Sequence, residues 1–199
     1  MKKINSIFHS LQGEGRNTGR AAAFVRFAMC NLRCPFCDTS FDTYREMSDE
    51  QIMTALAPYP TRFVVLTGGE PTLQVDEAFV ALLHDHGYEV AMESNGILPA
   101  PRNLDWLTVS TKDWHLTGNV QRTDDGRRLP DEVKIVFDEQ TPGRLSSLHV
   151  PPSALLYLQP CDTGDPQRNA AITRLCVKYI KQHPQWRLSL QTHKLINIE

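Results

Sequence analysis

The chain has 199 residues, a formal net charge of −2, 41% hydrophobic residues and 22% charged ones. That is enough chain to bury a core without disulfide staples, and it suits one domain spanning 1–199. The small net charge argues against a broad nucleic-acid or membrane-binding surface. The odd count of five cysteines suits a reducing compartment better than a disulfide framework.

The start, Met1-Lys2-Lys3-Ile4-Asn5-Ser6, is basic, but Ser10, Gln12 and Glu14 arrive too soon for a signal-peptide core. No window approaches the roughly 18 apolar residues of a membrane span. A cytoplasmic protein is therefore expected, with no membrane and no nucleic-acid partner. Short apolar runs follow. Ala22–Ala28 reads as the first buried strand. Ser48 with Gln51 reads as a capping box that opens a helix through Ile52, Met53 and Leu56, stopping before Pro58. Arg62–Thr67 is the second strand. A helix then runs from about Asp76 through Phe79, Leu82 and Leu83 to Gly87. Strands are predicted at Glu89–Glu93, Leu107–Ser110, Val133–Phe137 and Ala154–Leu158. A third helix is predicted from Asp165-Pro166 to His183, with Cys176 on its apolar face, and a last strand at Trp186–Leu190.

Continuous apolar runs of four to six residues suit parallel strands covered on both faces. Seven strands with three or four helices are too few for a closed eight-fold barrel of about 250 residues. The expected fold is α/β: a partial, open β/α barrel with functional groups at the C-terminal strand ends.

The segment after the first strand carries Cys30, Cys34 and Cys37 within eight residues. Three thiolates this close can reach one small metal centre. A redox dithiol would not need Cys30, and a structural zinc site would need a fourth ligand. Cys161 and Cys176 are isolated and the seven histidines are scattered. Spacing alone favours an iron–sulfur cluster with one open iron, with zinc as the main competitor. After the second strand comes Thr67-Gly68-Gly69-Glu70-Pro71, whose paired glycines let a ligand lie against the backbone.

The cysteine triplet followed by Gly-Gly-Glu-Pro resembles the radical S-adenosylmethionine (SAM) superfamily. Ser10-Leu11-Gln12-Gly13-Glu14-Gly15, Phe24-Val25-Arg26-Phe27, Cys37-Asp38-Thr39 and Leu190-Gln191-Thr192-His193 narrow the match. Together they resemble the 7-carboxy-7-deazaguanine synthases of the queuosine and deazapurine pathway, from about Phe8 to Glu199. The resemblance implies a [4Fe-4S] cluster on Cys30, Cys34 and Cys37, with SAM chelating the free iron. It implies SAM contacts from Phe36, Cys37, Asp38, Gly69, Glu70, Ser110, Thr111, Lys112 and Gln159. Thr111 stands where the family tends to carry proline. The implied substrate is 6-carboxy-5,6,7,8-tetrahydropterin, touched by Leu11, Gln12, Gly13, Arg26, Thr67, Gln191 and His193. Arg26 suits a bidentate pair with the substrate carboxylate, or else is a surface arginine. His193 reads equally as a structural hydrogen-bond partner. Mg²⁺ is implied on Thr39, which by itself reads as a turn hydroxyl. The same resemblance implies hydrogen abstraction from the pterin, ring contraction with loss of ammonia, and return of the hydrogen to regenerate SAM. An electron donor such as flavodoxin or ferredoxin and a homodimer are further expectations from the family pattern. No protein residue is assigned a catalytic role, because the cluster and SAM generate the radical. A glycyl-radical-enzyme activase would share the cysteines and Gly68-Gly69-Glu70 but not the end segments. A non-catalytic metal-binding module would leave the glycine segment unexplained.

Overall fold

The computed structural model describes residues 1–34, 37, 43–112, 128–145, 148 and 150–199. The seven predicted strands are present as β2 (Ala21–Phe27), β4 (Phe63–Gly68), β5 (Glu89–Ser94), β6 (Trp106–Val109), β7 (Glu132–Phe137), β8 (Leu155–Pro160) and β9 (Trp186–Leu188). Two more flank them, β1 (Lys2–Leu11) and β3 (Arg45–Met47). Among the described residues they form one sheet, in the order β3-β1-β2-β4-β5-β6-β7-β8-β9. Neighbours from β2 to β9 pair in parallel, and β1 is antiparallel to β2 and β3.

β1 escapes a sequence reading because a register shift between Ile4 and Ser6 breaks its period-two alternation. β9 is shorter than predicted. Ser189 leaves the strand and turns its hydroxyl onto Gln159 Oε1, 3.0 Å away, while accepting the Gly15 N–H, also at 3.0 Å.

The predicted helices form where their caps say. α1 (Asp49–Leu56) starts at Ser48 with both halves of the capping box made. α2 (Glu77–Asp85) starts at Asp76, which accepts the Phe79 N–H at 2.8 Å. Short α3 (Thr141–Leu145) follows β7. α4 (Pro166–Gln182) has Asp165 accepting from Gln167 and Arg168, with Pro166 in its first turn. Short α5 (Thr192–Leu195) follows β9.

Strand alternation divides the residues between two faces. Val25, Phe27, Val64, Leu66, Val90, Met92, Leu107, Val133, Ile135 and Leu158 pack against α1, α2 and α4 in the main core. Cys176 is fully buried there, and burial pushes its thiol up to about 12. The intervening residues line the concave face. Ala22, Phe24, Phe63, Val65 and Ala91 form a small apolar cluster with Phe8 and Trp106. Arg26, Thr67, Glu93, Ser110, Lys134 and Gln159 follow on the same face by alternation, toward the C-terminal strand ends.

Residues 12–20, between β1 and β2, close the seam that the open sheet leaves. Arg16 lies over Trp106 with its guanidinium carbon 4.4 Å from the ring centre, and Arg20 over Phe63 at 3.8 Å. Arg20 also forks onto Glu89 at 2.7 and 2.5 Å. Gly15 adopts φ 64, and a β-carbon there would lie 2.0 Å from Glu132 Oε1. Glu132 is 2% exposed and accepts the Arg16 N–H at 3.0 Å. Burial raises its carboxyl from 4.5 to about 7, with the Arg16 N–H opposing the rise.

Two outcomes follow for stability. Ser48→Ala should cost about 1 kcal/mol in urea unfolding, with an unchanged dependence on denaturant. Folded Glu132 keeps a proton that the unfolded chain releases near 4.5. Its contribution to stability is therefore fully present below that pH and is lost as pH rises through about 7. Glu132→Gln should lose less stability than the parent between about pH 5 and about pH 8, measured by urea unfolding. An equal loss in both proteins would refute this account.

Candidate active site

The cysteine segment leaves β2 directly beside the end of β4. The Gly69 and Glu70 N–H groups donate to the Phe27 and Met29 carbonyls, both at 2.8 Å. A β-carbon at Gly69 would lie 1.9 Å from the Met29 carbonyl oxygen. Gly68 sits at φ 111 against the Phe27 backbone. Met29 itself has φ 69, a left-handed conformation uncommon for a long side chain. The glycine pair thus pins the residue that precedes Cys30.

The Glu70 side chain is fully buried and saturated by its own chain. Its Oε1 accepts from Thr72 N at 3.1 Å, Thr72 Oγ1 at 2.6 Å and Ser94 Oγ at 2.8 Å. Its Oε2 accepts the Asn95 N–H at 2.7 Å. Glu70 therefore ties the end of β4 to the end of β5, a structural duty that its place in the sequence motif does not reveal.

Cys30 and Cys34 are half-buried and Cys37 is exposed. The Cys37 N–H donates to the Cys34 carbonyl at 3.1 Å. Burial raises the thiols of both Cys30 and Cys34. Glu70 and Cys37 add to the rise at Cys30, while Cys37 and Cys30 add to it at Cys34, where Lys112 opposes. Three soft donors lie within one another's electrostatic reach, a set that fits a thiolate-bound iron–sulfur cluster. Among the described residues no three His, Cys, Asp or Glu side chains converge as a ready-made metal group. Phe36, Asp38 and Thr39 lie outside the described residues.

The concave face carries a polar network centred on Lys134, which is 3% exposed. Its ammonium contacts Glu14 Oε2 and lies 2.8 Å from Glu93 Oε2. Glu14 Oε1 accepts from Gln191 Nε2 at 2.9 Å and Gln159 Nε2 at 3.2 Å. Gln12 Nε2 donates to Glu93 Oε1 at 3.0 Å. Burial works against ionising Glu14, but the Lys134 charge, with hydrogen bonds from Lys134 and Gln191, wins and lowers its carboxyl to about 2. Burial likewise opposes the Lys134 charge, and the two carboxylates outweigh it, so its pKa is raised.

Other predicted site residues gather around this network. The Gly13 carbonyl accepts from Thr192 N at 3.0 Å and Thr192 Oγ1 at 2.9 Å. A β-carbon on Gly13 would lie 2.1 Å from His193 Nδ1, so only glycine admits the histidine there. Gln159 is held between Glu14 and Ser189. Ser110 and Thr111 are buried, and Lys112 Nζ donates to Ser110 Oγ at 2.8 Å. Burial first, then Lys134, holds the Lys112 ammonium below its usual range. Leu11 ends β1, paired in register with Ala21 and 37% exposed. Arg26 and Thr67 are register partners, and the Arg26 guanidinium lies 4.9 Å from the Phe8 ring centre. No described carboxylate bonds to Arg26.

The sequence alone does not mark Glu14, Glu93 and Lys134 as site residues. Lys134 lies between Val133 and Ile135, so it reads as the solvent side of an alternating strand. The signal available was alternation combined with an expected barrel, in which the polar face turns inward.

Residues 24–135 match the radical SAM superfamily. The chain is 44% identical to the 7-carboxy-7-deazaguanine synthase of Bacteroides thetaiotaomicron, covering 100% of this chain and 99% of the relative. It is 38% identical to that of Nitratidesulfovibrio vulgaris, covering 98% of each. The crystal structure of QueE from Escherichia coli superposes with a TM-score of 0.73 at 26% identity, covering 95% of this chain and 93% of that one. Half-open parallel sheet, cysteine triplet and full-length likeness agree, and the chain belongs to the 7-carboxy-7-deazaguanine synthase family of the radical SAM superfamily.

Proposed function

We infer that the chain converts 6-carboxy-5,6,7,8-tetrahydropterin to 7-carboxy-7-deazaguanine with release of ammonia. The observation that carries the reading is the position of Arg26. It stands on the concave face two strands from Glu93 in the same row, and no described carboxylate bonds to it. A ligand carboxylate is its natural partner, and a bidentate fork would fix the end of the substrate nearest the cysteine segment. Thr67 beside it offers a hydroxyl, and Gln12, Gly13, Gln191 and His193 frame the far side, with the Leu11 backbone leading into that loop.

When bound, the [4Fe-4S] cluster and SAM supply the reducing electron and the 5′-deoxyadenosyl group that abstracts and returns hydrogen. Cys30, Cys34 and Cys37 would hold the cluster. The Gly69 strap, Ser110, Thr111, Lys112 and Gln159, with Phe36 and Asp38, would hold SAM. Glu70 would serve by fixing that strap rather than by offering its saturated carboxylate. Thr39 would give one oxygen to Mg²⁺, which would draw the rest of its oxygen ligands from water and substrate. The protein's own share is orientation and exclusion of water from a reactive intermediate. We further read the 199 residues as one domain that acts in the cytoplasm as a homodimer and takes electrons from a flavodoxin or ferredoxin. No described helix is long and apolar enough to cross a membrane.

Anaerobically reconstituted protein with SAM, reductant, Mg²⁺ and the carboxypterin should release the deazaguanine and ammonia in equal amounts. SAM cleavage without deazaguanine would sink the assignment. Gly69→Ala should retain the helical and strand content seen by circular dichroism. It should lose most of the SAM-induced change in the cluster's spectrum, because the new methyl displaces Met29 and Cys30. An unchanged spectral response would refute that role for the strap.

A further inference from the structure

We propose that Lys134 is a positioning residue that keeps Glu14 and Glu93 together as two ionised acceptors for the N–H edge of the substrate's aminopyrimidinone ring. The inference rests on the reading above for the identity of the ligand. The geometry supplies the rest. The Lys134 side chain is 4% exposed, whereas those of Glu14 and Glu93 are 17% and 19% exposed. The cation therefore sits behind its carboxylates, and a second lone pair stays available on Glu14 Oε2 and on each Glu93 oxygen, which accept one hydrogen bond apiece. One ammonium against two carboxylates leaves one net negative charge. That charge suits a ring edge made of N–H donors and repels a second carboxylate. Arg26, in the same row, takes the anionic end. The two charges would thus seat a flat, carboxylated heterocycle in one orientation.

Without the lysine, two half-buried carboxylates would be left close together with no cation between them, which favours uptake of one proton by the pair. One acceptor would become a donor, directed at a ring edge that is itself a donor. The amides of Gln12, Gln159 and Gln191 already bond to the oxygens that Lys134 leaves free, so they cannot replace its charge. Among the described residues, the other titratable groups facing this triad are Lys112 and His193, on the side of Glu14, and Glu132, on the side of Glu93 and Lys134. Lys112 also bears on Glu93, but it is itself held below its usual range by burial.

The test compares reconstituted wild-type enzyme with Lys134→Met. KM for the carboxypterin should rise about tenfold to a hundredfold, with a smaller change in kcat. The SAM-induced change in the cluster spectrum should persist. The acid limb of kcat/KM should move upward by about one pH unit or more, because two like charges left without their shared cation take up a proton more readily. Fluorescence titration with the oxidised 6-carboxypterin should show the same pH-dependent loss of binding. The double variant Glu93→Gln/Lys134→Met removes the like-charge pair and should bind better than Lys134→Met alone. Where Lys134→Met fails to fold, recovery of folding in that double variant supports the proposal and continued failure overturns it. A fall in kcat alone, an unmoved acid limb, or no rescue by the double variant also overturns it. Wild-type enzyme that does not turn over the carboxypterin instead refutes the reading of the substrate.

Discussion

A parallel sheet that stops short of closing leaves two edges and a seam, and what fills the seam decides what the fold can bind. Here the filling is polar and charged. The loop after β1 enters from one side and the segment after β9 from the other. They meet at Gly13 and Thr192, at Gly15 and Ser189, and at Glu14 and Gln191. Lys134 stands beneath this meeting point. It is held charged by Glu14 and Glu93 in a place where an unpaired ammonium would be driven neutral. The triad is an expensive way to stabilise a fold, since well-packed apolar groups often do as well or better. Its value lies in presenting charge at a fixed place.

The two faces of the sheet explain how this charge is tolerated. Outward positions pack under α1, α2 and α4 as continuous apolar area. Inward positions are apolar at Phe24, Phe63 and Val65, then polar at Arg26, Thr67 and Glu93. Arg16 and Arg20, stacked on Trp106 and Phe63, cover the apolar end. The cysteines lie at the other end, beyond the C-terminal end of β2.

Much of this was legible beforehand. The seven parallel strands announced themselves as apolar runs, and Ser48, Asp76 and Asp165 marked three helix starts. The cysteine spacing and the paired glycines pointed to the chemistry. β1 was hidden because its bulge disrupts the alternation that a strand reading needs. The triad was hidden because Lys134 and Glu93 look like solvent-facing residues until the sheet curves round them. Glu70 was legible as part of a motif, but its saturation by Thr72, Ser94 and Asn95 depends on where β5 ends. Gly13 needed His193, 180 positions away in number and adjacent in space, before its missing side chain had a reason.

That last separation bears on the order of folding. Helices and neighbouring strands can form from nearby segments, but the pairing of Glu14 with Gln191 closes a loop of 177 residues. Contacts of such long range form late and slow the overall rate. Closing this seam therefore carries the largest loop-closure cost of the contacts around Lys134. A ligand spanning the seam would act as a clamp, and resistance to unfolding would then rise with the logarithm of its concentration above the dissociation constant.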